Sequence, residues 1–97
     1  MNNYEVLYVL ETEQTEEAIS AQIDKFSQII TSNGGEISST DKWGKKRLAY
    51  PIDYKNEGYY LLTTFKAAPE FPKELERNFG IDEKVMRYMV VRLEDDK

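Results

Sequence analysis

The first ten residues carry large apolar side chains at every second position. This set consists of Tyr4, Val6, Tyr8 and Leu10. A period of two is that of a β-strand, because successive strand side chains point to opposite faces of a sheet. The segment therefore predicts a first strand, with Leu7 and Val9 on its second face.

The hydrophobic period then changes to that of a helix. Apolar residues recur at intervals of four, three and four, at Ile19, Ile23, Phe26 and Ile30. This spacing places one apolar stripe on a helix over residues 15–33. Thr15 is the expected N-cap, and Gly34 is expected to end the helix in the left-handed conformation.

A long extended run from Glu36 to Ile52 follows the helix. Because this run exceeds the usual length of a strand and contains Gly44, we expect a β-bulge or a bend at that glycine. Residues 53–58 have the composition of a turn, and Tyr59–Phe65 is rich in β-forming residues. The two extended segments are therefore predicted to pair as an antiparallel hairpin.

A second helix and a last strand complete the pattern. Pro72 is tolerated in the first turn of a helix, and Gly80 closes the segment. The apolar face of this helix is formed by Phe71, Leu75 and Phe79. Val85–Leu93 is apolar and β-branched, which predicts the final strand.

The order of elements is βαββαβ. Two right-handed crossovers joined by a hairpin give an α+β fold, the ferredoxin-like sandwich, with a four-stranded antiparallel sheet and both helices on one face. We expect one domain over residues 1–97, of which 94–97 form a short charged tail.

The second face of such a sheet lies uncovered. Apolar residues assigned to this possible partner face are Leu7, Val9, Tyr59 and Leu61. They are either ordinary exposed apolar residues or the docking surface of a partner. The sequence leaves both interpretations open.

Composition argues against catalysis and against metal binding. The chain has neither cysteine nor histidine, so thiol chemistry, the commonest general base and the commonest metal ligand are all missing. The acidic residues near Glu16 suit the positive end of a helix dipole. We therefore expect a protein that is not an enzyme and that binds no cofactor, no metal and no small-molecule substrate.

The lack of cysteine and of long apolar runs predicts a cytoplasmic protein without membrane contact.

The positive charge of this acidic chain is concentrated in one segment. Four cations lie within six residues, at Lys42, Lys45, Lys46 and Arg47. They carry +4, so the net charge of −5 leaves −9 on the rest of the chain. Such a segment predicts a local site for a polyanion. The alternative is a solvated edge whose cations prevent strand addition.

Three further residues are candidates for RNA or partner contact. Trp43 lies within the basic segment, although a lone large aromatic is more often part of a core. Arg87 and Arg92 lie on the last strand, at positions that point to opposite faces, so they cannot both join one patch. For the same reason, at most two of the four clustered cations share a surface unless Gly44 bends the strand.

The segment Gly44–Ile52, which reads GKKRLAYPI, carries a specific resemblance. Together with the opening strand at Tyr4, with Gly58–Tyr60 and with Met89–Val91, it resembles the bacterial small-subunit (30S) ribosomal protein six family. The resemblance spans essentially all 97 residues.

The resemblance implies a structural constituent of the small ribosomal subunit. Members of this family bind ribosomal RNA of the central (platform) domain as a heterodimer with small-subunit protein eighteen, on a junction first organised by protein fifteen. Lys45, Lys46 and Arg47 match the family's basic segment, which implies that they contact RNA or the partner.

Two other functions remain as alternatives. One is a stand-alone interaction or ligand-sensing module that uses the uncovered sheet face and forms homo-oligomers. The other is a small hydrolase of acyl phosphates, which needs an anion-binding loop after the first strand. The segment from Glu11 to Gln14 is acidic at that place, which disfavours the hydrolase.

Overall fold

The computed structural model describes residues 1–52 and 55–93, with the side chains of residues 1–48 and 56–93. The elements along the chain are β1 (Asn2–Leu10), α1 (Glu16–Ser32), β2 (Glu36–Ile52), β3 (Lys55–Ala67), α2 (Phe71–Gly80) and β4 (Val85–Leu93). The strands form one sheet in the order β2-β3-β1-β4, and each neighbouring pair is antiparallel. The predicted ferredoxin-like sandwich is confirmed. The charged tail expected at 94–97 lies outside the described residues.

Helix α1 is specified by the signals that the sequence carries. The Thr15 hydroxyl accepts a hydrogen bond from the amide of Ala18 at 3.1 Å. At the other end, Gly34 adopts a φ of +84°, a conformation that side chains disfavour. The predicted apolar stripe, Ile19, Ile23, Phe26 and Ile30, is buried.

Neither helix in the described part of the chain has the length and apolar content needed to cross a bilayer.

The core lies between the two helices and one face of the sheet. Strand pairing aligns Tyr4 with Phe65 and Tyr8 with Leu61 on this face. From the helices, Phe26 and Phe79 stack with their ring centroids 4.3 Å apart, in contact with the Tyr8 ring. Aromatic side chains of this size bury a large apolar area, which stabilises the helix-on-sheet arrangement.

The hairpin between β2 and β3 is tighter than the sequence indicates. Ile52 pairs with Lys55 after a shift of register that follows Arg47, so residues 55–58 of the segment predicted as a turn belong to β3. Gly58 lies inside the strand, opposite Lys46, although its residue type is common in turns. Asp53 and Tyr54, which belong to the predicted turn, lie outside the described residues.

The irregularity expected at Gly44 is confirmed as a β-bulge. Lys42 pairs with Leu61 and Gly44 with Tyr60, so Trp43 is an extra residue on β2. Gly44 has a φ of +82°, which glycine adopts without strain.

A small second cluster lies on the sheet face that the helices leave uncovered. Val9 and Leu48 are buried, although neither belongs to the main core. A Cβ atom added to Gly58 would overlap the Cγ1 atom of Val9 and approach Leu48 and Met86. Gly58 is therefore required for close packing and not for its backbone conformation.

We expect Gly58→Ala to lower the free energy of unfolding by about 1–3 kcal/mol, because the added methyl group overpacks this cluster. Urea denaturation measures the change. The control Asn56→Ala, at an exposed position of the same strand, should stay within about 0.5 kcal/mol of the parent. Equal stability of the glycine variant and the control would contradict the packing described for Val9.

Asp82 joins helix α1 to the loop before β4. Its carboxylate accepts hydrogen bonds from Lys25 Nζ at 2.9 Å, from Gln22 Nε2 at 3.0 Å and from the Lys84 amide at 2.9 Å. Burial raises the pKa of this carboxyl group, but the hydrogen bonds and the Lys25 charge outweigh burial and lower the pKa overall. A lowered pKa in the folded state means that the ionised form of Asp82 stabilises the protein.

We expect Asp82→Asn to lower the free energy of unfolding by about 1–3 kcal/mol near neutral pH, because hydrogen bonds to a charged group are lost. The stabilisation by Asp82 is present above its unfolded-state pKa and is lost as the pH falls through the folded-state pKa. The two proteins should therefore converge in stability in acid. Urea denaturation from pH 7 to pH 2 tests this, and a difference that stays constant with pH would contradict the role of the ionised carboxylate.

Candidate nucleic-acid interface

The bulge on β2 decides which face of the sheet each basic side chain occupies. Directly opposed residues of antiparallel strands share a face. The cations Lys42, Lys45 and Arg47 lie opposite Leu61, Tyr59 and Glu57, respectively. Because Leu61 belongs to the main core, these three cations lie on the helix side of the sheet. We call them the basic strip.

The extra residue at Trp43 explains why three cations share a surface. In a regular strand, Lys42 and Lys45 would point to opposite faces, because they are three positions apart. The bulge adds one residue and brings both onto the helix side. For a straight strand, we expected at most two of the four cations on one surface, unless Gly44 bends the strand. The bulge provides this exception, so three cations share a surface.

Lys46 and Trp43 lie on the other, uncovered face. Lys46 Nζ is 5.7 Å from the centroid of the Trp43 ring, within cation–π range. Trp43 stacks in turn on Tyr60, with centroids 6.4 Å apart and ring planes 12° apart. The alternative interpretation of Trp43 as a core residue is wrong, since this residue is 45% exposed. Its partner Tyr60 is only half-buried, so the pair forms part of the surface.

The clustered cations have no ion-pair partner among the residues that the structure describes. All four are exposed, and none lies within 4.0 Å of a carboxylate in that part of the chain. The ion pairs found there include Lys25–Asp82, Arg77–Glu74 and Lys84–Glu11. Two acids still moderate the basic strip, because Glu57 lies opposite Arg47 and Glu16 lines the same groove as Lys42.

The two arginines of β4 do not join this cluster. Arg87 pairs with Val9 on the uncovered face, and Arg92 pairs with Tyr4 on the helix side. Their predicted placement on opposite faces is confirmed. Strands β3 and β1 lie between β4 and the basic strip, so neither arginine extends it.

The four residues predicted as one partner face do not share a face. Tyr59 and Leu61 pair with Leu10 and Tyr8, so they point to the helices, and Leu61 is fully buried. Val9 lies on the uncovered face but is buried by the small cluster around Gly58. Only Leu7 is both on that face and partly exposed. The grouping is wrong because apolar residues occupy both faces of β3.

The uncovered face carries other apolar residues that sequence reasoning did not include. Leu7 pairs with Leu62 on one side and with Met89 on the other, which forms an apolar row across three strands. Met89 is 57% exposed and Val91 is 41% exposed. The sequence signal for these residues was the alternation of side chains along β4. Only the β1–β4 register shows which of these side chains face away from the helices. We call Leu7, Tyr60, Leu62, Met89 and Val91 the open apolar face.

Comparison with models of protein families identifies the family to which this chain belongs. Residues 3–92 match the family model described as "Ribosomal protein S6". The chain belongs to the ribosomal protein S6 family. The resemblance seen in the sequence is thereby confirmed. Ribosomal protein S6 is a structural protein of the small ribosomal subunit, a cytoplasmic ribonucleoprotein that carries out translation, and it is not an enzyme.

Individual relatives agree with this assignment over nearly their whole length. The chain is 52% identical over 94 residues to small ribosomal subunit protein bS6 of Clostridium novyi, which covers 97% of this chain and 99% of the relative. It is 45% identical over 96 residues to the bS6 protein of Moorella thermoacetica, which covers 99% and 98%. The crystal structure of 30S ribosomal protein S6 from Thermotoga maritima superposes with a TM-score of 0.91 at 24% identity, which covers 95% of this chain and 87% of that one. That structure supports the fold.

Proposed function

We propose that this S6-family chain binds small-subunit ribosomal RNA in the central (platform) domain as a heterodimer with small-subunit protein eighteen. Protein fifteen acts indirectly, by organising the RNA junction first. The observation that carries the proposal is the group of exposed cations on β2, which lack carboxylate partners within the described residues.

The charge distribution supports binding with a partner's help. The basic segment carries +4 and the rest of the chain −9, so the positive charge that attracts phosphates is concentrated in this segment. Its few phosphate contacts give a modest RNA affinity. A second chain that binds both this protein and the RNA raises the effective concentration of the weak site and so strengthens the whole complex.

The open apolar face supports a protein partner. Its central row joins Leu62, Leu7 and Met89 across neighbouring strands, and Met89 is more than half exposed. A contiguous apolar surface of this kind on a small domain marks a contact site, because its burial releases ordered water. Arg87 lies at the border of the row, as polar residues do at the rim of interfaces.

The RNA contact is tested by replacing Lys45, Lys46 and Arg47 with alanine. Each lost phosphate contact reduces the slope of log K against log salt by about 0.7–0.9, so two to three contacts reduce it by about 1.4–2.7. Filter binding of the complex with protein eighteen to a platform RNA fragment, measured from 50 to 300 mM KCl, gives this slope. Circular dichroism should show an intact fold.

The matched control for this variant removes the same charge elsewhere, with Lys66, Lys73 and Arg77 replaced by alanine. These side chains are exposed and lie outside the basic segment. The control should keep the parental slope. A parental slope in the variant of the basic segment would refute the assignment of RNA contact.

The partner contact is tested by Met89→Glu. A charge in the centre of the open apolar face should weaken the heterodimer with protein eighteen at least tenfold, because the carboxylate would be buried without a partner. Ile81→Glu is the control, since Ile81 is 68% exposed at the end of α2, away from the sheet face. Isothermal titration calorimetry measures both. Unchanged binding by Met89→Glu would exclude this face, and a homodimer instead of a heterodimer would favour the stand-alone module.

A further inference from the structure

We infer that the bulge at Gly44 divides the basic segment between an RNA strand and the uncovered face of the sheet. The basic strip (Lys42, Lys45 and Arg47) follows successive phosphates of one RNA strand, and Lys46 belongs with Trp43 to the uncovered face, away from that strand. The inference rests on the proposed function and specifies which cations of the segment touch the RNA backbone.

The spacing of the basic strip matches a single nucleic-acid strand. The residues opposite its three members are 61, 59 and 57, so the members are evenly placed at every second position of the ladder. Two strand positions span about 6.5–7 Å, which is close to the distance between neighbouring phosphates of one backbone. Three cations in a row on a rigid edge therefore present one charge to each successive phosphate.

The basic strip is accessible along its length. Strand β2 is an edge of the sheet, with no strand beyond it in the described chain. Each of the three side chains is exposed. On the inner side, the strip borders a groove between β2 and α1 that is lined by Ile19, Ile23 and Tyr59. A backbone that runs along the edge meets the strip without a change in the fold.

Lys46 lies on the face of the sheet that points away from this RNA strand. It lies opposite Gly58, on the other face of the sheet from Lys45 and Arg47. Its ammonium group is directed to the Trp43 ring at 5.7 Å, and Trp43 stacks on Tyr60, a member of the open apolar face. The sheet itself separates this group from the basic strip.

Removal of the Glu57 charge provides a test in which RNA affinity should rise and not fall. It lies opposite Arg47, and the two side chains line the same surface depression. A carboxylate at this place repels the phosphate that the arginine attracts. Removing its charge should therefore strengthen RNA binding, a gain that partial unfolding of a variant does not produce.

Single charge-removing variants test the division, in the complex with protein eighteen and the platform RNA fragment. Lys42→Gln, Lys45→Gln and Arg47→Gln should each reduce the salt slope by about 0.7–0.9, and Lys46→Gln should leave it at the parental value. Glu57→Gln should raise RNA affinity about threefold at 50 mM KCl, with Glu76→Gln on α2 as the distant control.

The outcomes separate this inference from the proposed function. Equal losses of slope in all four cation variants would overturn the division and leave RNA binding by the segment in place. Losses confined to Lys46→Gln would also overturn it. If the four variants kept the slope but weakened binding to protein eighteen, the segment would be a protein contact, and both the inference and the proposed RNA contact would fail.

Discussion

The pairing of β2 with β3 is the constraint on which the surface chemistry of this protein depends. One inserted residue, Trp43, shifts the ladder between Lys42 and Gly44. Every side chain after it changes face relative to a regular strand, because strand side chains alternate with a period of two. A short run of cations that would otherwise be divided equally between the two faces thereby becomes a row of three on the helix side and one lysine, beside the Trp43 ring, on the other face.

The rest of the fold holds this edge in place and leaves the opposite face of the sheet uncovered. The helices cover one face with the aromatic core around Phe26 and Phe79. On the other face, the cluster of Val9 and Leu48 over Gly58 fixes the end of the hairpin. Beside that cluster the sheet stays apolar and exposed at Met89. A rigid basic edge and an apolar face on one acidic domain suit a structural protein that binds RNA as part of a complex.

The order of elements was predictable from the sequence because local signals agree with one another. The stripe at Ile19 and Phe26, the cap at Thr15 and the bulge at Gly44 are each specified within a few residues. The surface was harder to predict, because it depends on register between distant strands. Leu61 and Leu62 are equally apolar, and only the pairing with Tyr8 shows which of them enters the core. The exposure of Trp43 likewise follows from the bulge and not from its side chain.

The most direct test of this account is the reactivity of its lysines in assembled small ribosomal subunits. Acetylation followed by mass spectrometry compares each lysine in the free protein and in purified subunits. The account predicts that Lys42 and Lys45 react readily in the free protein, become protected in the subunit and regain reactivity when the RNA is digested. Equal reactivity of these two lysines in the free protein and in the intact subunit would contradict it.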